Sequence, residues 1–226
     1  MSLPITSSEH ALFSPSQPSW INYDDEQMIE AFKNSHRAEL GTEIHEWSSI
    51  QIQYRSLVSN LKEIEKGVKT HIHDKYIRDQ FSDRSRDYGA ELIKHMDYLP
   101  KETYPTVKSF VNDSIGFGMK SEDRVEYSKY YFGTADAIRY DMQSKTLRVF
   151  DLKTGTKPAK ISQLYTYAAL YCLQHDLKPD GIIFETRIYQ LGDILTDNPP
   201  TELIYDLMRT IVHGDTIINK FIGGKS

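Results

Sequence analysis

A five-residue polar break, Asp141-Met-Gln-Ser-Lys145, separates two β-rich runs, and its centre decides which side chains of those runs can meet. Thr134 to Tyr140 on one side and Thr146 to Leu152 on the other are short and rich in apolar, aromatic and β-branched residues, as strands are. A third such run, Arg124 to Phe132, precedes them. The break is short enough for a hairpin turn, and a turn centred between Gln143 and Ser144 sets Asp136 opposite Asp151. Directly opposed residues share a face of the sheet, with Cβ atoms roughly 4.5–5.5 Å apart. Lys153 lies two residues beyond Asp151 and so projects from the same face. A slip of one residue would send the two carboxylates to opposite faces. The reading therefore depends on register.

Two carboxylates held that close repel each other unless a cation lies between them. Hard oxygen donors suit Mg²⁺ or Mn²⁺, and such an ion activates water and offsets charge building on a phosphate. The lysine could orient the nucleophile, deprotonate it, or stabilise the transition state electrostatically. The residues alone do not choose among these roles. Taken by itself, Asp151-Leu-Lys153 also fits an ordinary hairpin carrying one Asp–Lys salt bridge.

Around this hairpin the chain reads as a single α/β domain, the default for 226 residues and 26.2 kDa. Residues 1–20 read as an irregular arm rich in Ser and Pro. Asp24 to about Ser35 and Thr42 to about Leu57 read as two helices. Residues 60–120 are charged and helix-leaning, with breaks expected at Leu99-Pro100 and Tyr104-Pro105; they would flank or cap a cleft. The core sheet and one buried helix fall within 124–190. That helix, about Lys160 to His175, is apolar almost all round and so packs on the sheet. Asp180 to Tyr189 reads as a core strand, Gly192 to Pro200 as a loop, and 201–221 as an amphipathic C-terminal helix. His71 and His73 stand at i and i+2, which do not face each other on a helix, so they read as surface histidines.

Five short motifs follow one another along the chain. They are Phe13-Ser-Pro-Ser16 with Trp20, Gly41-Thr-Glu-Ile-His45, Gly133-Thr-Ala-Asp136, Asp151-Leu-Lys153-Thr-Gly155 and Gln163-Leu-Tyr-Thr-Tyr167. In that order, over roughly residues 13 to 190, the chain resembles the RecB-like branch of the PD-(D/E)XK nuclease superfamily. The resemblance implies a restriction-endonuclease-like core, a mixed central β-sheet flanked by helices, with a helical insertion before the first core strand. It makes His45, Asp136, Asp151 and the backbone carbonyl of Leu152 the metal ligands, and Lys153 the catalytic lysine. Gln163 and Tyr167 would line the site, touching DNA or supporting the catalytic groups. Glu126, ten residues before Asp136, lies where some relatives carry a useful acid.

The residues themselves fit parts of this picture. Ser48 and Ser49, one turn beyond His45, give the histidine a face of small side chains with room for a metal and a strand of DNA. An imidazole ligand tolerates Mn²⁺ better than Mg²⁺, so strong Mn²⁺ support of activity is expected. Cys172 is the only cysteine, which excludes an intrachain disulfide and a four-cysteine iron–sulfur cluster. Several RecB-like nucleases carry such a cluster, and this chain departs from them. It sits in the apolar helix and reads as a small core residue.

A formal net charge of −5 argues against a protein that coats nucleic acid. Locally, residues 139–160 hold six basic residues (Arg139, Lys145, Arg148, Lys153, Lys157 and Lys160) against two acidic ones, a net +4. A basic strip beside an acidic metal site suits a phosphate-handling cleft. Lys157 and Lys160, flanking Pro158, are the leading candidates for phosphate contacts.

The leading expectation is a metal-dependent DNA exonuclease serving recombination, repair or phage DNA processing. The motif order of the resemblance favours exonuclease over a structure-specific or nicking endonuclease. A third reading is a catalytically silent nuclease-fold module that binds DNA or a protein. DNA is the expected partner, together with a helicase, a single-strand-binding protein or a recombinase, and oligomers are compatible with such a core. Helicase motifs and a nucleotide-binding P-loop are absent, so any ATP-driven unwinding comes from another protein. No apolar run approaches the ~18–20 residues of a membrane span. The N-terminus lacks the basic-then-apolar pattern of a secretory leader, so the expected location is the cytoplasm of a bacterium or a phage-infected host.

Overall fold

The computed structural model describes residues 12, 13, 15, 18–78 and 83–223. Five strands form one sheet in sequence order: β1 (Lys120–Ser128), β2 (Tyr131–Asp141), β3 (Thr146–Lys153), β4 (Ile183–Gln190) and β5 (Asp193–Asp197). All neighbours are antiparallel except β3 and β4, which run parallel and are joined by α5 (Ser162–Gln174). A parallel pair needs such a crossover, and a helix apolar on nearly every side can be buried there. The fold is thus α/β, a mixed five-stranded sheet with helices on both faces.

One face is covered by α1 (Asp25–Gln53), α2 (Leu61–His73), α3 (Asp83–Lys94) and α4 (Thr103–Gly116). Leu40, Ile44, Ile64, Val68 and Val111 from these helices pack with Ala137, Phe150, Leu152 and Tyr189 of the sheet. The other face is covered by α5 and α6 (Thr201–Gly223), where Leu164, Ala168, Ile204 and Ile211 meet Ile138, Leu147, Val149 and Ile188. Burying each such Leu or Ile stabilises the fold by about 1.5–3 kcal/mol relative to exposing it. Alternate residues of β2 and β3 feed the two cores, which fixes the register of the hairpin.

Several boundaries differ from the sequence reading. The two expected helices at Asp24–Ser35 and Thr42–Leu57 are one 29-residue helix, α1. The span between them, His36-Arg-Ala-Glu-Leu40, is made largely of strong helix formers, and Gly41 costs only about 1 kcal/mol in a helix interior. Asp24 starts the helix with a capping box: its side chain accepts from Gln27 N, and Gln27 returns a bond to the Asp24 backbone. Tyr104-Pro105 does not break the chain. Pro105 sits in the first turn of α4, where its missing N–H goes unused. Phe132 belongs to β2, and the expected loop after Gly192 contains β5, a fully exposed edge strand.

Of the expected N-terminal motif, Ser14 and Ser16 lie outside the described residues. Phe13 meets Trp20 edge-on at 6.0 Å, and Pro18–Asn22 forms a 3₁₀ turn. Among the described residues no helix is long and apolar enough to cross a membrane.

Candidate metal centre

The β2–β3 ladder runs from Asp141↔Thr146 to Ala137↔Phe150, the register that the turn centre requires. Asp136 and Asp151 are the next residues on each strand. Beyond that last pair, Asp136 Oδ2 accepts a hydrogen bond from the Leu152 backbone N–H at 2.8 Å. Asp151 is buried, and its Oδ1 accepts from Lys153 Nζ at 3.0 Å. Its Oδ2 lies 2.9 Å from the same ammonium but lacks hydrogen-bond geometry, leaving a buried carboxylate oxygen with an ion contact and no hydrogen bond.

Helix α1 brings His45 to this point, with Nδ1 3.4 Å from Asp136 Oδ2. The approach depends on Gly41, one turn earlier. A Cβ there would stand 2.6 Å from Thr154 Oγ1, just past β3, so a larger residue would push the helix off the strand end. Ser48 and Ser49 do not line an open groove as expected. Ser48 is buried and donates to the Ile44 carbonyl at 2.7 Å, while Ser49 meets Ser121 of β1 at 3.0 Å. Small hydroxyl side chains here permit close helix–strand packing, and that packing lays β1 beside the histidine.

A residue not expected from the sequence joins the site through this contact. Ser121 pairs with Ala137 and Asp123 with Ala135, so Glu122 stands across from Asp136. His45, Glu122 and Asp136 each offer a ligand atom, all within 4.8 Å of one another. Glu122 has φ 49°, the left-handed region, which costs a non-glycine residue about 1–3 kcal/mol and tends to occur at functional sites. A hairpin centred on Lys129 would have set Glu122 against Asp136. Ending the first β-rich run at Phe132 hides this pairing, because Tyr131 to Asp141 form one strand. Glu126 is elsewhere: it is exposed, pairs with Arg124 at 2.7 Å and faces Phe132.

Electrostatics reflect the crowding of acids. Burial raises the pKa of Asp136, against the opposing effects of the Leu152 N–H and Lys153. Burial and the Asp136 charge push Asp151 up to about 6, although Lys153 and His45 act in the other direction. Glu122 is exposed, yet partial desolvation raises it in the same direction, helped by Asp136 and Glu46. Burial lowers His45, which keeps its ring neutral and its lone pair available. The Leu152 backbone favours the protonated ring and so must offer its carbonyl, which puts that oxygen beside the imidazole. The donor set fits a divalent cation: three carboxylates with raised pKa values, a neutral imidazole and one buried carboxylate oxygen lacking a hydrogen bond.

Gln163 and Tyr167 lie on α5, Gln163 exposed and Tyr167 half-buried, 3.5 Å apart between Nε2 and OH. A Cβ on Gly133 would meet the Tyr167 ring at 2.7 Å, so the glycine lets this ring close over β2 three residues before Asp136. The loop after β3 is fastened by Gln190 of β4, which donates to the carbonyls of Gly155 (2.7 Å) and Lys157 (2.8 Å) and accepts from Ala159 N. That clamp leaves Lys157 and Lys160 exposed.

The basic strip divides. Arg139 donates to the Phe117 and Gly118 carbonyls, and Arg148 is committed to Glu185 at 2.9 Å and to the Phe117 ring. Lys145 occupies the turn at the far end of β3, roughly 20 Å along the strand from Asp151 at ~3.3 Å per residue. Lys153 touches Asp151, and Lys157 and Lys160 lie exposed on the loop that follows β3. His71 is also not a plain surface residue, lying 3.3 Å from Glu43 and Glu46, whereas His73 is exposed.

Residues 10–177 match the family described as "Protein of unknown function (DUF2800)". The chain belongs to this family. The matched span carries His45, Glu122, Asp136, Asp151, Lys153, Gln163 and Tyr167, and stops before β4, β5 and α6. No curated protein and no solved structure matches the chain.

Proposed function

We propose that this chain is a metal-dependent DNA nuclease with a RecB-like PD-(D/E)XK core, acting in the cytoplasm as an exonuclease. The observation that carries the reading is the convergence of His45 from α1 and Asp136 from β2 beside the Asp151–Lys153 pair of β3. An ordinary hairpin salt bridge would not recruit an imidazole from a helix distant in sequence, nor keep a second, half-buried carboxylate beside the first. His45, Glu122, Asp136 and Asp151, with the Leu152 carbonyl, would hold the ion. Bound there, Mn²⁺ or Mg²⁺ supplies Lewis-acid activation of water and charge neutralisation at the phosphate.

The protein groups do the rest. Asp151 anchors the Lys153 ammonium, which is about a third exposed and so stands at the mouth of the site, where it can meet an attacking water or a phosphate oxygen. Lys157 and Lys160 offer charge to the DNA backbone from a loop whose shape Gln190 sets. Gln163 and Tyr167 border the opening from α5. The work would serve recombination, repair or phage DNA processing, with unwinding left to a partner.

The test is digestion of end-labelled single- and double-stranded linear DNA with Mn²⁺, beside a covalently closed circle. Mononucleotide or short products from linear ends with an intact circle support the exonuclease. Cutting of the circle would make the protein an endonuclease, and metal-stabilised melting without cleavage of any substrate would leave a binding module. Within this site, Glu122→Gln is expected to lower Mn²⁺-supported kcat/KM by roughly 10- to 100-fold, the loss typical when a metal site's supporting groups are removed. Glu126→Gln should stay near wild type. Equal behaviour of the two variants would remove Glu122 from the site.

A further inference from the structure

A second cluster of metal-binding side chains lies on the same helix, nine residues before His45. His36 of α1, Glu91 of α3 and His95 just past the end of α3 each present a ligand atom, all within 4.8 Å of one another. Glu91 and His95 are i, i+4 neighbours and so stack on one side of their helix, facing α1.

His36 is prepared in a particular way. It is buried, and its Nδ1 lies 2.9 Å from the Phe32 carbonyl, an acceptor, so Nδ1 carries the proton. In the neutral ring Nε2 then points a bare lone pair at Glu91 Oε1, 3.3 Å away. Lone pair against carboxylate is unfavourable without a cation between them. The 3.3 Å contact is longer than the about 2.7–2.9 Å of a charge-assisted N–H···O bond. Donors about 2.1 Å from a tetrahedral ion stand about 3.4 Å apart, which this spacing matches. Metal-bound imidazoles commonly give their second N–H to a backbone carbonyl, as His36 does.

The rings around the cluster are apolar neighbours. Phe32 lies 4.2 Å from His36, and Tyr98 stacks on His95 at 4.6 Å. Two imidazoles and one carboxylate are borderline-to-hard donors, the set that takes Zn²⁺ with a water in the fourth position. Glu91 and His95 are half-buried, which leaves an open side for that water.

We infer that His36, Glu91 and His95 form a Zn²⁺-class site that fastens α3 to α1. The site is separate from the carboxylate cluster at His45 and does not depend on the nuclease reading. The probe is Zn²⁺ alone, titrated into metal-free full-length protein against a chromophoric chelator. His95→Ala should weaken one equivalent on the order of 100-fold, Glu91→Gln about 10-fold or more, and His45→Ala should leave that equivalent unchanged. In the wild-type chain, the imidazole NMR signals of His36 and His95 should shift with that same equivalent. Unchanged zinc binding in both variants overturns the site, as does static His36 and His95 signals, or zinc binding that only His45→Ala removes. None of these readouts involves DNA.

Discussion

Asp136→Asn, Asp151→Asn and Lys153→Ala are each expected to lower Mn²⁺-dependent DNA cleavage by about a thousandfold or more, the scale on which activated water and preorganised charge contribute. The two carboxamides keep the size of the original side chains. Asn at 136 can still accept from the Leu152 N–H, so the strand ends should hold and only the negative charge is lost. Lys153→Ala acts twice: it removes the ammonium from the mouth of the site and leaves Asp151 buried without its ion partner. Single-turnover cleavage rates, with circular dichroism to confirm folding, check the claim. Near-normal rates in any one of the three, with folding intact, would remove that residue from the reaction.

The second large effect concerns the metal-free protein. Asp151 has a folded-state pKa of about 6 against an ordinary value of 3.8. Protonation therefore favours the fold. The stabilising contribution is complete below about pH 4 and is lost as pH rises through 6. A difference of roughly two pKa units corresponds to about 3 kcal/mol, or about 6–12 °C in Tm for a chain of this length. In chelator, wild type should lose that much relative to Asp151→Asn between pH 4 and pH 7.5. Comparison with the variant cancels other carboxylates whose pKa values move the opposite way, such as Glu43, where burial is outweighed by His71, Tyr76 and Lys75. Added Mn²⁺ at pH 7.5 should return most of the lost stability to wild type and little to Asp151→Asn. Parallel melting curves across pH would show that Asp151 carries no such penalty.

The central hairpin was legible because its information is local. A short polar turn sets the register, and alternation between two apolar cores leaves no freedom to slip. The same reasoning carried α5 and β4, whose apolar runs have no other place to go. It failed where a residue's role depends on partners distant in sequence. Glu122 reaches Asp136 through a hairpin centred on Lys129, which is hidden when the first run is ended at Phe132, and its left-handed backbone is not displayed by any alternation pattern. β5 has every residue exposed and is held by its ladder to β4, and its two adjacent apolar residues, Ile194 and Leu195, show no strand alternation between Gly192 and the following prolines. Arg139 and Arg148 looked like part of a phosphate-binding strip because sequence shows charge without showing which carbonyl or carboxylate already occupies it. The serines after His45 looked like open space for the same reason, and Ser121 fills it.

The unbroken course of α1 has a mechanical consequence. With no loop between Phe32 and Gln53, this segment behaves as a stiff rod seated at Gly41 against the end of a strand. His36 and His45 are separated by about 13.5 Å of that rod, at ~1.5 Å per residue. A tilt imposed near its amino-terminal half has no hinge in which to dissipate, so the imidazole must swing with it. The ring's distance from Asp136 is therefore governed partly by whatever grips the far end of the lever.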